Sequence, residues 1–497
     1  MYDLYKPLRN RLRTLSLLPS LLGLYHLSQY VQFKTPLPQA LRYPGFGQTT
    51  PLNVGLHEWT LELLAREMIL NAPDAGPRAM TTWNEYAALG NLVRDIENNT
   101  WGRAPDGPAL IEYELVRIAH RQFPWQVQPN TRLIASYFKL YSNPRLAELM
   151  RAAFGMTAVE YFQIAMGLSG HFLDRPVLRT PVGNTVNAVP QATVDLLIGR
   201  MSLGLEALRN RIRETQTYNI NWAYLFDPLR TWPLIDLGGN RLFCPMPTLL
   251  LWRMTEGVYF DLVQHRQLFD QNFGPAFQDL VGEVIVAANP DGRLQLLPEE
   301  RYGTKKRPRD SADWIVQDDT ATLFIECKAS RLKAQAKVDL HDTATIDGEV
   351  DRLAGFVTQL YATMSDALGG AYAQWKPNGR PVYPLVVTLD EWLPSGRSLI
   401  HRLEDKVREG LQQRGLPVDM LETHPFTLCS LYEFEAAARA FGFAGVEAVM
   451  GEKTTGEHQG WAMMPFIQGR FPRAVSENRV LFEAEWRAVT REAVQRR

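Results

Sequence analysis

The chain of 497 residues has three cysteines, Cys244, Cys327 and Cys429. They are too few and too scattered for a disulfide framework or a cysteine-rich zinc site, which fits a reducing compartment. A charge of one sign is lacking too, with 53 basic residues against 54 acidic ones. Wholesale basicity of the histone type is excluded, so any nucleic-acid surface must be a local patch. Long hydrophobic runs are missing. The apolar stretch 15–24 follows Arg9, Arg11 and Arg13 and is broken by Pro19; a bilayer span needs ~20 residues. It reads as an amphipathic or buried helix, with no membrane role, no targeting segment and a cytoplasmic location.

Other absences narrow the chemistry. The nine histidines show no His-x-x-x-His or Cys/His metal spacing. There is no Gly-x-x-x-x-Gly-Lys-Ser/Thr loop, no Gly-x-Gly-x-x-Gly after a strand and no Gly-x-Ser-x-Gly elbow. An NTPase, a dinucleotide enzyme or an α/β-hydrolase would have to be atypical. Lysine is scarce, at 11 of the 53 basic residues, yet five of them (Lys305, Lys306, Lys328, Lys333, Lys337) share one short segment.

What is present is strong periodicity. Apolar residues recur at helical spacing over 57–70, 110–123, 133–140, 146–154, 159–168 and 194–212, between Pro, Gly and Asn clusters such as 38–51 and 175–190. This predicts an all-helical N-terminal domain, 1–230. In 231–269 a hairpin is predicted around Gly238-Gly239-Asn240, followed by a connecting helix. From 270 to 440 the order changes. A helix at 274–288 precedes strands at 293–297, 312–316 and 322–329, a helix at 347–368, a strand at 382–389, a helix at 397–414, a strand at 426–430 and a helix at 432–441. That order predicts an α+β or α/β mixed sheet flanked by helices. Residues 441–497 read as a helical extension.

The chemistry concentrates at Asp313 and at Glu326-Cys327-Lys328. Side chains alternate along a strand, so Glu326 and Lys328 share a face with Thr322 and Phe324, while Leu323, Ile325, Cys327 and Ala329 suit a core. A carboxylate and an ammonium inside an apolar strand are costly without partners. Asp313, on the preceding short strand, is close enough in sequence to lie opposite. Two carboxylates and a backbone carbonyl make a hard, all-oxygen site suited to Mg²⁺ or Mn²⁺. A neighbouring lysine can orient water and stabilise a developing phosphoryl anion.

On these residues and this element order, 270–440 resembles the PD-(D/E)XK, or restriction-endonuclease-like, nuclease superfamily, with its αβββαβ core. The resemblance implies metal-dependent cleavage of nucleic acid. Asp313 and Glu326 would hold the ion with the Cys327 carbonyl, and Lys328 would act on the attacking water. Many members carry a glutamate on the first helix, after an aromatic residue; here Gln278 follows Phe277. Gln278 and Glu283 flank the buried stripe of that helix on opposite sides, so either could approach the site, and Glu283 is the candidate helix carboxylate. Asp279 points away. Ala312 stands where the motif's proline would be.

From 301 to 340 there are nine basic and six acidic residues. Lys305, Lys306, Arg307, Arg309, Arg331 and Lys333 are candidate phosphate contacts; the competing reading is a solvated loop. Asp390 and Glu391, at a strand end, read as a cap, and Gln359 as an ordinary helix position. By analogy the substrate is DNA, in defence against foreign DNA such as phage, with a homodimer as one route to a double-strand break. The rivals are a catalytically inactive nuclease-fold module that binds DNA or a protein, and an RNA-cleaving effector.

Overall fold

The computed structural model describes residues 1–100, 108–127, 131–182, 189–338, 343–392, 397–476 and 480–495. Residues 183–188 of the predicted loop 175–190 lie outside the described residues. The chain is a mixed α+β protein of two units. One comprises Met1–Asp106, His120–Phe269 and Ala484–Arg497, the other Gly107–Ala119 and Asp270–Glu483.

The first unit is built on helices. The Leu17–Phe33 helix is apolar on nearly every side and seats Leu21, Leu24, Leu27 and Val31 in one core with Leu61, Leu64 and Met68 of the Glu58–Asn71 helix. Among the described residues no helix is long and apolar enough to cross a membrane. The expectation of an all-helical domain is corrected, because the unit also holds a four-stranded sheet. Its order is Val177–Arg179, Arg241–Phe243, Leu234–Asp236, Ser202–Gly204. The predicted hairpin supplies the two central strands. Its turn puts Gly238, Gly239 and Asn240 at φ of +74°, +60° and +59°, a region that costs glycine nothing and asparagine little. The single helix predicted at 194–212 is two, Gln191–Met201 and Leu205–Thr215, with Ser202–Gly204 between them as a strand. Serine and glycine are weak helix formers, and parallel pairing with Leu234–Asp236 satisfies the backbone there instead.

In the second unit the strands are β1 (Gln295–Pro298), β2 (Arg301–Thr304), β3 (Arg307–Asp310), β4 (Trp314–Gln317), β5 (Thr322–Lys328), β6 (Val382–Thr388) and β7 (Thr427–Ser430). The principal helices are α1 (Arg266–Ala287), α2 (Thr343–Leu368), α3 (Arg397–Gln413) and α4 (Leu431–Ala444). Five strands form one sheet in the order β7-β6-β5-β4-β1. β1, β4 and β5 run antiparallel to their neighbours, and β5, β6 and β7 run parallel. Parallel neighbours need long crossovers, which α2 and α3 provide. Phe324, Val382 and Val386 share a buried cluster with Val357, Leu360 and Met364 of α2 and Val407 and Leu411 of α3. Leu323, Ile325, Leu385 and Val387 alternate to the other face and are also buried. Both faces of the central strands are covered, which explains their unbroken apolar runs. α1 lies close to Trp314: a Cβ added at Gly282 would sit 2.4 Å from Trp314 Cζ2.

Strands β2 and β3 were not foreseen. They form a separate two-stranded ribbon inserted between β1 and β4, with Lys305-Lys306 as its turn. Little in a run of lysine, arginine and proline favours a strand. The ribbon is tied at its root instead. Tyr302 donates to Asp366 at 2.6 Å and its ring centroid lies 4.9 Å from that of Tyr372.

Candidate active site

Register assembles the site. β4 and β5 pair Trp314 with Ile325, so the next rung sets Asp313 opposite Glu326 on one face. β1 and β4 pair Pro298 with Trp314, so Glu299 falls on that same rung beyond β1. β5 and β6 pair Lys328 with Thr388. Alternation along β5 puts Glu326 and Lys328 side by side, and Lys328 Nζ lies 2.5 Å from Glu326 Oε1.

Each group is held from several sides. Asp313 Oδ2 accepts from the Cys327 backbone N–H at 2.6 Å. Lys328 donates to Gln359 Oε1 of α2 at 3.3 Å, and its ammonium lies 5.4 Å from the Phe356 ring centroid. Glu326 is 2% exposed, and its second oxygen, Oε2, has no hydrogen-bond partner among the described residues. The Lys328 side chain keeps 22% exposure, so the site opens at its end. Gln278 donates to Glu299 Oε2 at 3.3 Å and to the Asp313 carbonyl at 3.5 Å, while Trp314 Nε1 donates to the Gln278 carbonyl at 2.8 Å.

Burial dominates the electrostatics of both carboxyls. Burial, then the Glu326 charge, pushes Asp313 up to about 7. Burial also raises Glu326, against the pull of Lys328. Glu299 adds to the rise at both. Burial lifts the Cys327 thiol well above its usual range, so it stays a neutral wall group. Two buried carboxyls that repel each other, one with an orphaned oxygen, fit a cation. No group of three or more His, Cys, Asp or Glu side chains close enough to hold an ion occurs among the described residues. The side-chain donors that such a cation would meet are the two carboxylates, a set that suits Mg²⁺ with retained waters.

The structure thus brings together Asp313, Glu326, Lys328 and the Cys327 backbone. Helix rotation turns Glu283 to another side of α1. Gly282 faces Trp314, and Gln278, one turn earlier, shares that face and reaches the trio. Glu283, one residue on, is turned about 100° away. Gln359 belongs to the site, although it read as an ordinary helix position. Glu299 was missed. Its signal, a carboxylate one rung past the first strand, becomes visible only once the inserted ribbon is known.

The candidate phosphate contacts divide into two sets. Arg309 pairs with Asp366 at 2.7 Å, Arg331 with Asp390 at 3.7 Å and Lys333 with Glu349 at 3.5 Å. Asp390 also takes Lys337 at 2.6 Å, so the acidic strand end anchors cations. Lys305, Lys306 and Arg307 are exposed on the ribbon and have no carboxylate partner among the described residues. No known protein family, curated protein or solved structure matches the chain.

Proposed function

We propose that this chain is a metal-dependent nuclease that hydrolyses phosphodiester bonds, with DNA as substrate, and that Asp313, Glu326 and Lys328 carry the reaction. The observation that supports this most is the buried pair Asp313 and Glu326, both raised chiefly by burial, with Glu326 Oε2 orphaned beside a lysine. A fold that needed only stability would place apolar residues there. The resemblance to the PD-(D/E)XK superfamily, in motif and in an αβββαβ order around the same three residues, points the same way.

A divalent ion held by Asp313, Glu326 and the Cys327 carbonyl would neutralise the carboxyl pair and supply Lewis-acid chemistry at the phosphate. The chain's own residues do the rest. The Cys327 N–H fixes one Asp313 oxygen and so aims the other. Gln359 and the Phe356 ring steer the Lys328 ammonium. That ammonium can leave Glu326 for a phosphoryl oxygen as charge grows there. The attacking water gives up a proton as its oxygen bonds to phosphorus, the ester P–O bond breaks, and the leaving oxygen takes up a proton in exchange.

The test is supercoiled plasmid incubated with the full chain and Mg²⁺ or Mn²⁺, beside an EDTA control and the variants Glu326→Gln and Lys328→Ala. Cutting that needs the ion and falls about 10²- to 10³-fold in both variants is expected. Plasmid binding with no cutting by the wild-type chain would overturn the enzyme reading in favour of a non-catalytic module.

A further inference from the structure

The β2–β3 ribbon continues the pairing of β1 and β4 past the carboxyl site. Its root is closed by the Ser311 N–H on the Glu300 carbonyl at 3.0 Å and by the Glu300 N–H on Ser311 Oγ at 2.9 Å. The Glu300 carboxylate takes the backbone N–H groups of Ala373 and Gln374, both at 3.1 Å. Two residues separate β1 from β2, while three, Ser311, Ala312 and Asp313, separate β3 from β4. That one-residue excess is a bulge, and bulges re-aim side chains beside active sites. Asp313 lies in it. Ribbon and site are therefore one construction.

The ribbon's charge is unevenly spent. Arg301 lies 3.9 Å from Asp310 and Arg309 is held by Asp366, so the cations at the root are matched. Lys305, Lys306 and Arg307 at the tip are not, and all four residues of β3 are exposed. Other basic side chains around the site, Arg331, Lys333, Lys337 and Arg352, are each paired with a carboxylate. Among the described residues around the site, unmatched cations are thus concentrated at the end of one anchored arm.

We propose that the ribbon is a backbone-gripping arm, in which Lys305, Lys306 and Arg307 bind the phosphates of duplex DNA on one side of the scissile bond. The proposal rests on the nuclease reading of the site and adds where the substrate lies. A two-stranded ribbon has the width a DNA groove admits. About five residues at ~3.3 Å each carry the tip about 16 Å from the root. At 3.4 Å per nucleotide, that is about five nucleotides from the cut. The arm touches no base edges in this role, so it positions substrate without selecting sequence.

The test measures binding of the full chain to a labelled duplex of about 30 base pairs between about 50 and 200 mM salt, in a Glu326→Gln background that removes cutting. Adding Lys305→Ala, Lys306→Ala and Arg307→Ala should lower the slope of log K against log salt by about 2 to 3, close to 0.9 per lost contact, and weaken binding at least about tenfold. Lys406→Ala on α3, the control for a cation already paired with Asp351 at 3.6 Å and Glu409 at 3.2 Å, should leave the slope unchanged. An unchanged slope in the triple variant overturns the arm, even if the wild-type chain cuts plasmid. A lowered slope with no cutting by the wild type keeps the arm and removes the nuclease. A slope change seen with double-stranded RNA but not with DNA overturns the choice of substrate.

Discussion

At the scale of single residues, the site is defined by which carboxyls repel which. Asp313 and Glu326 share a rung and are both raised by burial and by charge. Asp313→Asn should therefore stabilise the chain in the absence of divalent ions, by about 1–3 kcal/mol, as other relieved active-site charges do. The same variant should lose the rise in melting temperature that Mg²⁺ or Mn²⁺ gives the wild type. Thermal unfolding with and without the ion reads both effects, and a destabilised Asn variant would contradict the account. Glu299 stands near both carboxyls and is held by Gln278. Its role is positioning and electrostatic, so Glu299→Gln should reduce ion affinity or cutting about 10- to 100-fold. Glu283→Gln should change neither. Titration of the ion by calorimetry, alongside plasmid cutting, separates the two glutamates.

At the scale of elements, α1 and the ribbon decide where those residues sit. α1 can lie close to Trp314 only because residue 282 has no side chain, since an added Cβ would fall 2.4 Å from the indole. Gly282→Ala should cost about 1–3 kcal/mol, as overpacking does, although alanine is the better helix former. A lower urea midpoint with an unchanged m-value is the expected reading. A stability gain would show that the helix seats elsewhere. The ribbon depends on Asp366, which accepts from Tyr302 and pairs with Arg309. Asp366→Ala should speed amide exchange across 301–310 while leaving β5 and β6 protected, because local opening follows local contacts. Equal exchange in both proteins would mean that the root is held by other contacts.

At the scale of the whole molecule, the first unit hides an ionic network under its core. Glu62 accepts from the Trp125 indole at 3.0 Å and binds Arg230 through both carboxyl oxygens. Asp227 is buried nearby, accepts the Leu229 N–H at 2.9 Å and leaves Oδ2 without a hydrogen-bond partner among the described residues. Burial, then the Glu62 charge, pushes Asp227 up to about 7. The sign follows directly. Between about 4 and 7 the folded chain holds a proton that the unfolded chain has released, so stability falls as pH rises, by up to ~1.4 kcal/mol per unit. Above 7 the difference is constant. Denaturant unfolding of the wild type and Asp227→Asn from pH 5 to about 8 should show a shallower slope in the variant, which keeps only the share that Asp313 contributes with the same sign. Parallel curves for the two would place the titration elsewhere.

The sequence by itself determined much of the element content, because periodicity and alternation are local. Helices such as Glu58–Asn71, the glycine hairpin, and the strands carrying Glu326 and Val386 were legible from their own residues. So was the likelihood of shared chemistry between Glu326 and Lys328, two apart on a strand and hence on one face. Only the tertiary structure decided what depends on pairing partners distant in sequence. Ser202–Gly204 interrupts a helical pattern because Leu234–Asp236 offers it a ladder. Basic residues 301–310 form a ribbon because Tyr372 and Asp366 anchor it. Glu299 meets Asp313 because the ribbon folds away between them, and Gln278 rather than Glu283 reaches the site because Gly282 sets the face that α1 turns to Trp314. Register and helix rotation are set by packing between segments, and no window of sequence contains both sides of that contact.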